Sequence, residues 1–100
     1  WTTENVKPPG GSETVIYEDE KTGTHCRFLE LPKGFKGGKE PLEHDFDEIV
    51  FIVSGEMIND RLNERYPAGT VAVFPKGTKH GPMSAPNGAF TIEFRHYKQV

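Results

Sequence analysis

The sequence reads as an all-β domain, a small antiparallel sandwich or barrel, on three observations. Short runs rich in β-branched and aromatic residues recur along its 100 residues, at 13–18, 24–31, 47–53, 56–59, 70–74 and 89–97. Each is bounded by turn formers such as Lys21-Thr22-Gly23, Ser54-Gly55, Pro67-Ala68-Gly69 and Pro86-Asn87-Gly88, a spacing typical of all-β folds. Helical periodicity is confined to 56–66, where Ile58, Leu62 and Tyr66 fall four apart. Met57-Ile58-Asn59-Asp60 followed by Arg61-Leu62-Asn63 serves a hairpin equally well, and a helix of barely three turns is marginal without packing, so a hairpin is expected there.

Taken in order, residues 1–12 form an arm without periodicity, broken by Pro8-Pro9-Gly10-Gly11, and residues 13–100 form one domain. Alternation sorts the faces of the strands. In Glu48-Ile49-Val50-Phe51-Ile52-Val53 one face carries Glu48, Val50 and Ile52 and the other Ile49, Phe51 and Val53, so both faces are apolar and need cover. A two-layer domain covers only one. The arm or a second subunit must take the other, and a homodimer is the commoner solution. Lys33, Lys36 and Lys39 sit in a Gly-rich stretch that reads as a solvated loop, with residues 34–38 as a flexible entrance segment.

Composition narrows the function. With 12 Lys+Arg against 15 Asp+Glu, the net charge of −3 argues against a nucleic-acid partner, whose phosphates demand a basic face. The longest apolar run, 49–53, is far too short for a membrane-spanning helix, and no membrane partner is expected. A single cysteine, Cys26, excludes an internal disulfide framework and a cysteine zinc site. It reads as a small residue in a strand and fits a reducing compartment, so the expected location is cytoplasmic. No Gly-x-Ser-x-Gly elbow, phosphate-binding loop or dinucleotide fingerprint is present.

Histidines carry the chemical signal. His44 precedes Glu48 by four residues, which puts both on one face of an extended segment. His80 closes Gly69-Thr-Val-Ala-Val-Phe-Pro75-Lys-Gly77-Thr-Lys-His80, a strand followed by a Pro-x-Gly turn that aims the imidazole back over the sheet. His25 and His96 read as ordinary hydrogen-bonded core or surface residues.

This pattern resembles the cupin superfamily over about half of the chain. The second cupin motif, Gly-x5-Pro-x-Gly-x2-His-x3-Asn, is met at Gly69, Pro75, Gly77 and His80, with Ser84 in the place of Asn. The first motif, His-x-His-x3-4-Glu-x6-Gly, is met at His44, Glu48 and Gly55, while its first His falls on Leu42. The resemblance implies a small antiparallel β-barrel of jelly-roll type. It also implies one divalent metal ion (Fe, Mn, Ni or Zn) held inside by His44, Glu48 and His80.

Leu42 leaves three outcomes open. Two imidazoles and one carboxylate can form a working site with free coordination positions. Glu40, Glu43, His25 or His96 can supply a further ligand. Or the metal is lost and the barrel is a binding module. Leu42, Arg27, Phe46, Met83, Phe94 and His96 are the candidate pocket residues, with Arg27, Arg95 and Tyr97 able to anchor a carboxylate or enolate. Asp45 and Asp47 are expected to hold a turn, or else to accept the free N–H of a ligating imidazole. The implied activity is a metal-dependent enzyme acting on a small, oxygen-chelating organic substrate, with a dioxygenase preferred over isomerase, cyclase or lyase chemistry. The alternative is a non-catalytic, ligand-sensing barrel cut from a larger protein, with which a start at Trp1 is compatible.

Overall fold

The computed structural model describes residues 11–37, 42–43 and 46–96, and at Leu42, Glu43 and His80 it describes the backbone. Among the described residues ten strands follow in order: β1 (Ser12–Glu18), β2 (His25–Leu31), β3 (Phe35–Lys36), β4 (Leu42–Glu43), β5 (Asp47–Asn59), β6 (Glu64–Pro67), β7 (Val71–Phe74), β8 (Lys79–His80), β9 (Met83–Ala85) and β10 (Ala89–His96). Every pairing is antiparallel. Among the described residues no helix is long and apolar enough to cross a membrane. Residues 1–10 of the expected arm lie outside the described residues, and β1 takes up its last position, Ser12.

The expected runs at 47–53 and 56–59 are one continuous strand. The first half of β5 pairs with β10 and β7, continuing a sheet β1-β2-β10-β5-β7, and its second half pairs with β6 and β9, with β3 beyond. The turn between the halves is made at Gly55, with φ +78°, next to a register shift against β10. A Cβ at Gly55 would collide with the Gly88 carbonyl and the Ala89 backbone. Gly55→Ala is therefore expected to cost about 2–4 kcal/mol, combining left-handed strain with overpacking. A thermal melt checks this, and a midpoint unchanged from the parent would show that the corner opens freely.

The 56–66 segment is the hairpin β5–β6, with Met57 opposite Tyr66 and Asn59 opposite Glu64. The Gly-rich stretch at 34–38 departs from the expected loop. Phe35 and Lys36 pair with Ala85 and Ser84, and the Gly37 N–H donates to the Met83 carbonyl at 2.8 Å. A two-residue strand is too short to show periodicity, so only the pairing reveals it.

Register fixes what each face of the main sheet presents. The inward rows run Glu18·His25·Arg95·Glu48·Phe74, then Val15·Arg27·Glu93·Val50·Ala72, then Glu13·Leu29·Thr91·Ile52. The interior thus passes from charged at the Glu48 end to apolar, where Leu29, Leu31, Val50, Ile52, Met57, Ala85 and Ala89 form the core. The outward rows run Tyr17·Cys26·Phe94·Ile49·Val73 and Thr14·Phe28·Ile92·Phe51·Val71.

Candidate functional site

Glu48 begins the inward face of β5 and is 4% exposed. Its cross-strand neighbour Arg95 donates from Nε to Glu48 Oε2 at 3.3 Å. The Arg95 guanidinium lies 4.8 Å above the ring centroid of Phe46, which is itself buried, so a cation–π contact holds the arginine in place. One row further in, Arg27 donates from Nε and Nη2 to Glu93 Oε1 at 3.0 and 2.7 Å, and from Nη1 to Glu13 Oε2. Arg95 Nη2 stands 3.9 Å from the same Glu93 oxygen, which joins the two pairs into one buried network.

Charge in this end of the barrel is tightly constrained. Burial, and then the neighbouring Glu93 charge, push the Glu48 carboxyl from its ordinary 4.5 up to about 7, against the opposing pull of Arg95 and Arg27. Burial would lower the Arg27 guanidinium, but Glu93 and Glu13 hold it above its usual value. His25, 2% exposed and opposite Arg95, is lowered by burial and by the charges of Arg95 and Arg27, so it stays neutral.

His80 is brought to this end by its own turn. Glu48 pairs with Phe74, the last residue of β7, and the chain then turns through Pro75 and Gly77 into β8. The Thr78 N–H closes the turn on the Pro75 carbonyl at 2.9 Å, and Gly77 has φ +82°. Asp47 pins the turn from outside by accepting the Lys76 N–H at 2.8 Å, the turn-holding role expected for it. In β8, His80 is the cross-strand partner of Leu42. Arg61, in the β5–β6 turn, donates to the carbonyls of Lys79 at 3.2 Å and Gly81 at 3.3 Å, bracketing His80. Ser84, which replaces the motif Asn, is buried and donates to Asp60 at 2.8 Å, so it fixes the same hairpin turn.

No protein-family profile matches the chain, and no curated protein sequence does. Solved structures do. An acetylacetone dioxygenase from Acinetobacter johnsonii superposes with a TM-score of 0.76 at 15% identity, over 96% of this chain and 70% of that one. An RmlC-like cupin from Shewanella frigidimarina gives 0.76 at 17% identity, over 99% and 90%. KdgF from Halomonas sp. gives 0.72 at 19%, over 91% and 82%.

The fold is that of the cupins.

In this cupin barrel the sequence-derived candidates separate. Glu48, Arg27 and Phe46 face the interior together. Leu42 and His80 pair in the strands beside it, and His44 lies outside the described residues. Met83 is half-buried against the apolar core. Phe94 and His96 are corrections: β10 points Glu93 and Arg95 inward, so its alternate residues face out. Phe94 is 37% exposed, and His96 stands 3.9 Å from Asp47 on the outer face. Arg27 is engaged by two carboxylates and forms part of the wall instead of offering a free anion anchor.

Glu93, Glu13 and Arg61 escaped the sequence reading. Glu93 and Arg95 are two apart on β10, as His25 and Arg27 are on β2, and charges at that spacing share one face. That spacing was the available signal. Among the described residues no group of three His, Cys, Asp or Glu side chains is placed to hold a metal.

Proposed function

We propose that this cupin barrel is a metal-dependent enzyme acting on a small organic substrate that chelates the metal through oxygen atoms, with oxygenase chemistry preferred. The observation that carries the reading is Glu48. A carboxyl buried beside a second carboxylate and pushed up to about 7, by burial first and by Glu93 next, is the kind of perturbed group that marks a functional site. His44, Glu48 and His80 would be the ligands, a donor set of two imidazoles and one carboxylate suited to Fe(II) and compatible with Mn, Ni or Zn. The chemistry such an ion supplies when bound is Lewis acidity toward a carbonyl or enol oxygen and, for iron, one-electron chemistry with O₂.

The chain's own groups prepare the site. Arg95 orients the Glu48 carboxyl by donating to its Oε2, the support a ligating carboxylate needs. Phe46 and the Arg27–Glu93 pair close the wall behind it and keep water out. Leu42, where the resemblance has a histidine, leaves one ligand fewer and one position more for substrate. The dioxygenase name attached to one structural neighbour agrees with the preference.

Elemental analysis of the purified protein and of His80→Ala tests this reading. About one equivalent of a first-row metal is expected in the parent, with at least a tenfold loss in the variant. Equal trace metal in both would overturn it. O₂ uptake by iron-loaded protein with a small 1,3-dicarbonyl as probe then separates oxygenase from isomerase, cyclase or lyase activity.

A second reading, a ligand-binding or sensing barrel without turnover, is favoured by the pairing of Leu42 with His80 in place of a fourth ligand. It predicts ligand uptake that survives His80→Ala.

A further inference from the structure

Strand β5 serves the candidate site from both of its ends. Its start carries Glu48, and beyond the corner at Gly55 its second half leads into the turn 60–63, which lies against the segment that bears His80. The turn is set by its own sequence. The Asn59 side-chain oxygen accepts the Leu62 N–H at 3.4 Å, and Asn63 takes the left-handed conformation, φ +54°, that asparagine tolerates. Asp60 and Arg61 are thereby presented to residues 79–84, and among the described residues four hydrogen bonds join them. The Asp60 N–H donates to the Pro82 carbonyl at 2.9 Å, and Ser84 Oγ donates to Asp60 Oδ1 at 2.8 Å. Arg61 supplies the other two, from Nη2 to the Lys79 carbonyl at 3.2 Å and from Nε to the Gly81 carbonyl at 3.3 Å.

His80 needs such support. β8 is two residues long and pairs with the equally short β4 in a sheet separate from the main one. An isolated pair of strands is marginal even at ordinary length, whereas a ligand must be held within about 0.5 Å of its working position. Leu42 sharpens the need, because a site with one protein ligand fewer relies more on the placement of each that remains. A guanidinium suits the task. Its donors sit in a rigid planar fork, so one side chain bridges the carbonyls on both sides of His80, and the backbone there cannot rotate without breaking a bond.

We propose that Arg61 is a positioning residue for His80, which clamps the two carbonyls flanking it and so holds this imidazole in place for the proposed metal ion. This role rests on the metal reading above and extends it to a turn that neither cupin motif includes. One strand then contributes twice, delivering Glu48 directly and His80 through Arg61.

Two measurements on Arg61→Ala and Arg61→Lys are the test, with Arg65→Ala as the control. Arg65 is exposed on β6 and pairs with Glu56 at 2.7 Å, so its removal matches the loss of charge at a different place. The first is amide hydrogen exchange of the metal-free protein. In Arg61→Ala the amides of Lys79, His80 and Gly81 are expected to exchange about tenfold faster or more, with those of β2 and β10 unchanged. The second is titration with Co(II), followed by its visible absorption bands. Arg61→Ala is expected to bind about 10–100-fold more weakly, with shifted bands at saturation, and Arg65→Ala to match the parent. Arg61→Lys keeps the charge without the fork and is expected to stay roughly fivefold or more below the parent. Unchanged exchange at 79–81, or faster exchange throughout the barrel, would overturn the clamp. Parent-like Co(II) binding in Arg61→Ala would overturn the positioning role alone, and full recovery in Arg61→Lys would assign the effect to charge instead of the bridge. A parent that takes up no Co(II) would overturn the metal reading and this role with it, a result distinct from each of the others.

Discussion

Arg27→Leu is expected to lower the unfolding free energy by about 3–5 kcal/mol, the cost of leaving buried charge without its partner. Arg27 is 4% exposed and holds Glu93, itself 6% exposed, through two hydrogen bonds, and Glu13 through a third. Leucine fills much of the volume but returns none of the charge. Glu93 then faces Glu48 with only Arg95 between them, 3.9 Å from Glu93 and 3.3 Å from Glu48. The loss is a large share of the roughly 5–15 kcal/mol available to a small domain.

The double variant Arg27→Leu/Glu93→Leu distinguishes broken pairing from lost packing. Removing both charges abolishes the desolvation cost together with the attraction, so most of the single-variant loss is expected to return. Glu13 sits on the edge strand β1 and can turn to water. Urea unfolding of the parent, both single variants and the double variant measures the coupling. Simple additivity, or an Arg27→Leu protein within 1 kcal/mol of the parent, would show that the network is solvated and carries little.

The strands and corners of this barrel were legible because their signals are local. β-Branched runs between turn formers gave the main strands, and Gly55 and Gly77 mark corners where a positive φ is needed. The two-sided apolar character of 49–53 was also legible, and Ile49, Phe51 and Val53 do face outward while Val50 and Ile52 face the core.

Period-two alternation yields two faces without saying which is inside. In β10 the apolar face of Phe90, Ile92 and Phe94 suggests an interior, yet register points it outward and sends Glu93 and Arg95 in. Only pairing reveals why this is tolerable. Arg27 meets Glu93 across one strand boundary and Arg95 meets Glu48 across another, so each buried charge finds its opposite. The same limit misplaced Phe94 and His96. It also hid β3, β4 and β9, which are too short to show any period.

Glu48→Gln is expected to leave stability near pH 4.5 unchanged and to make the metal-free protein roughly 3 kcal/mol more stable than the parent at pH 8. The sign follows from the direction of the shift. The unfolded carboxyl releases its proton near its ordinary 4.5, whereas burial and Glu93 keep the folded one protonated up to about 7. Between those values the folded state binds more protons than the unfolded state, so stability falls as pH rises and levels off above 7. Glutamine reproduces the protonated form, since its carbonyl oxygen can still accept from Arg95 Nε, and it does not ionise. His25 acts in the opposite sense. Its lowered value makes folding lose stability as pH falls below 6.5, but it is present in both proteins and largely cancels in their difference. Urea midpoints of chelator-treated parent and variant from pH 4 to 8 provide the measurement, and parallel curves would show that Glu48 is not held protonated. The same proton links this result to the proposed metal. An ion bound at Glu48 must displace it, so binding is expected to weaken as pH falls below 7, about tenfold per unit from this proton alone and more steeply where the two proposed imidazole ligands protonate as well.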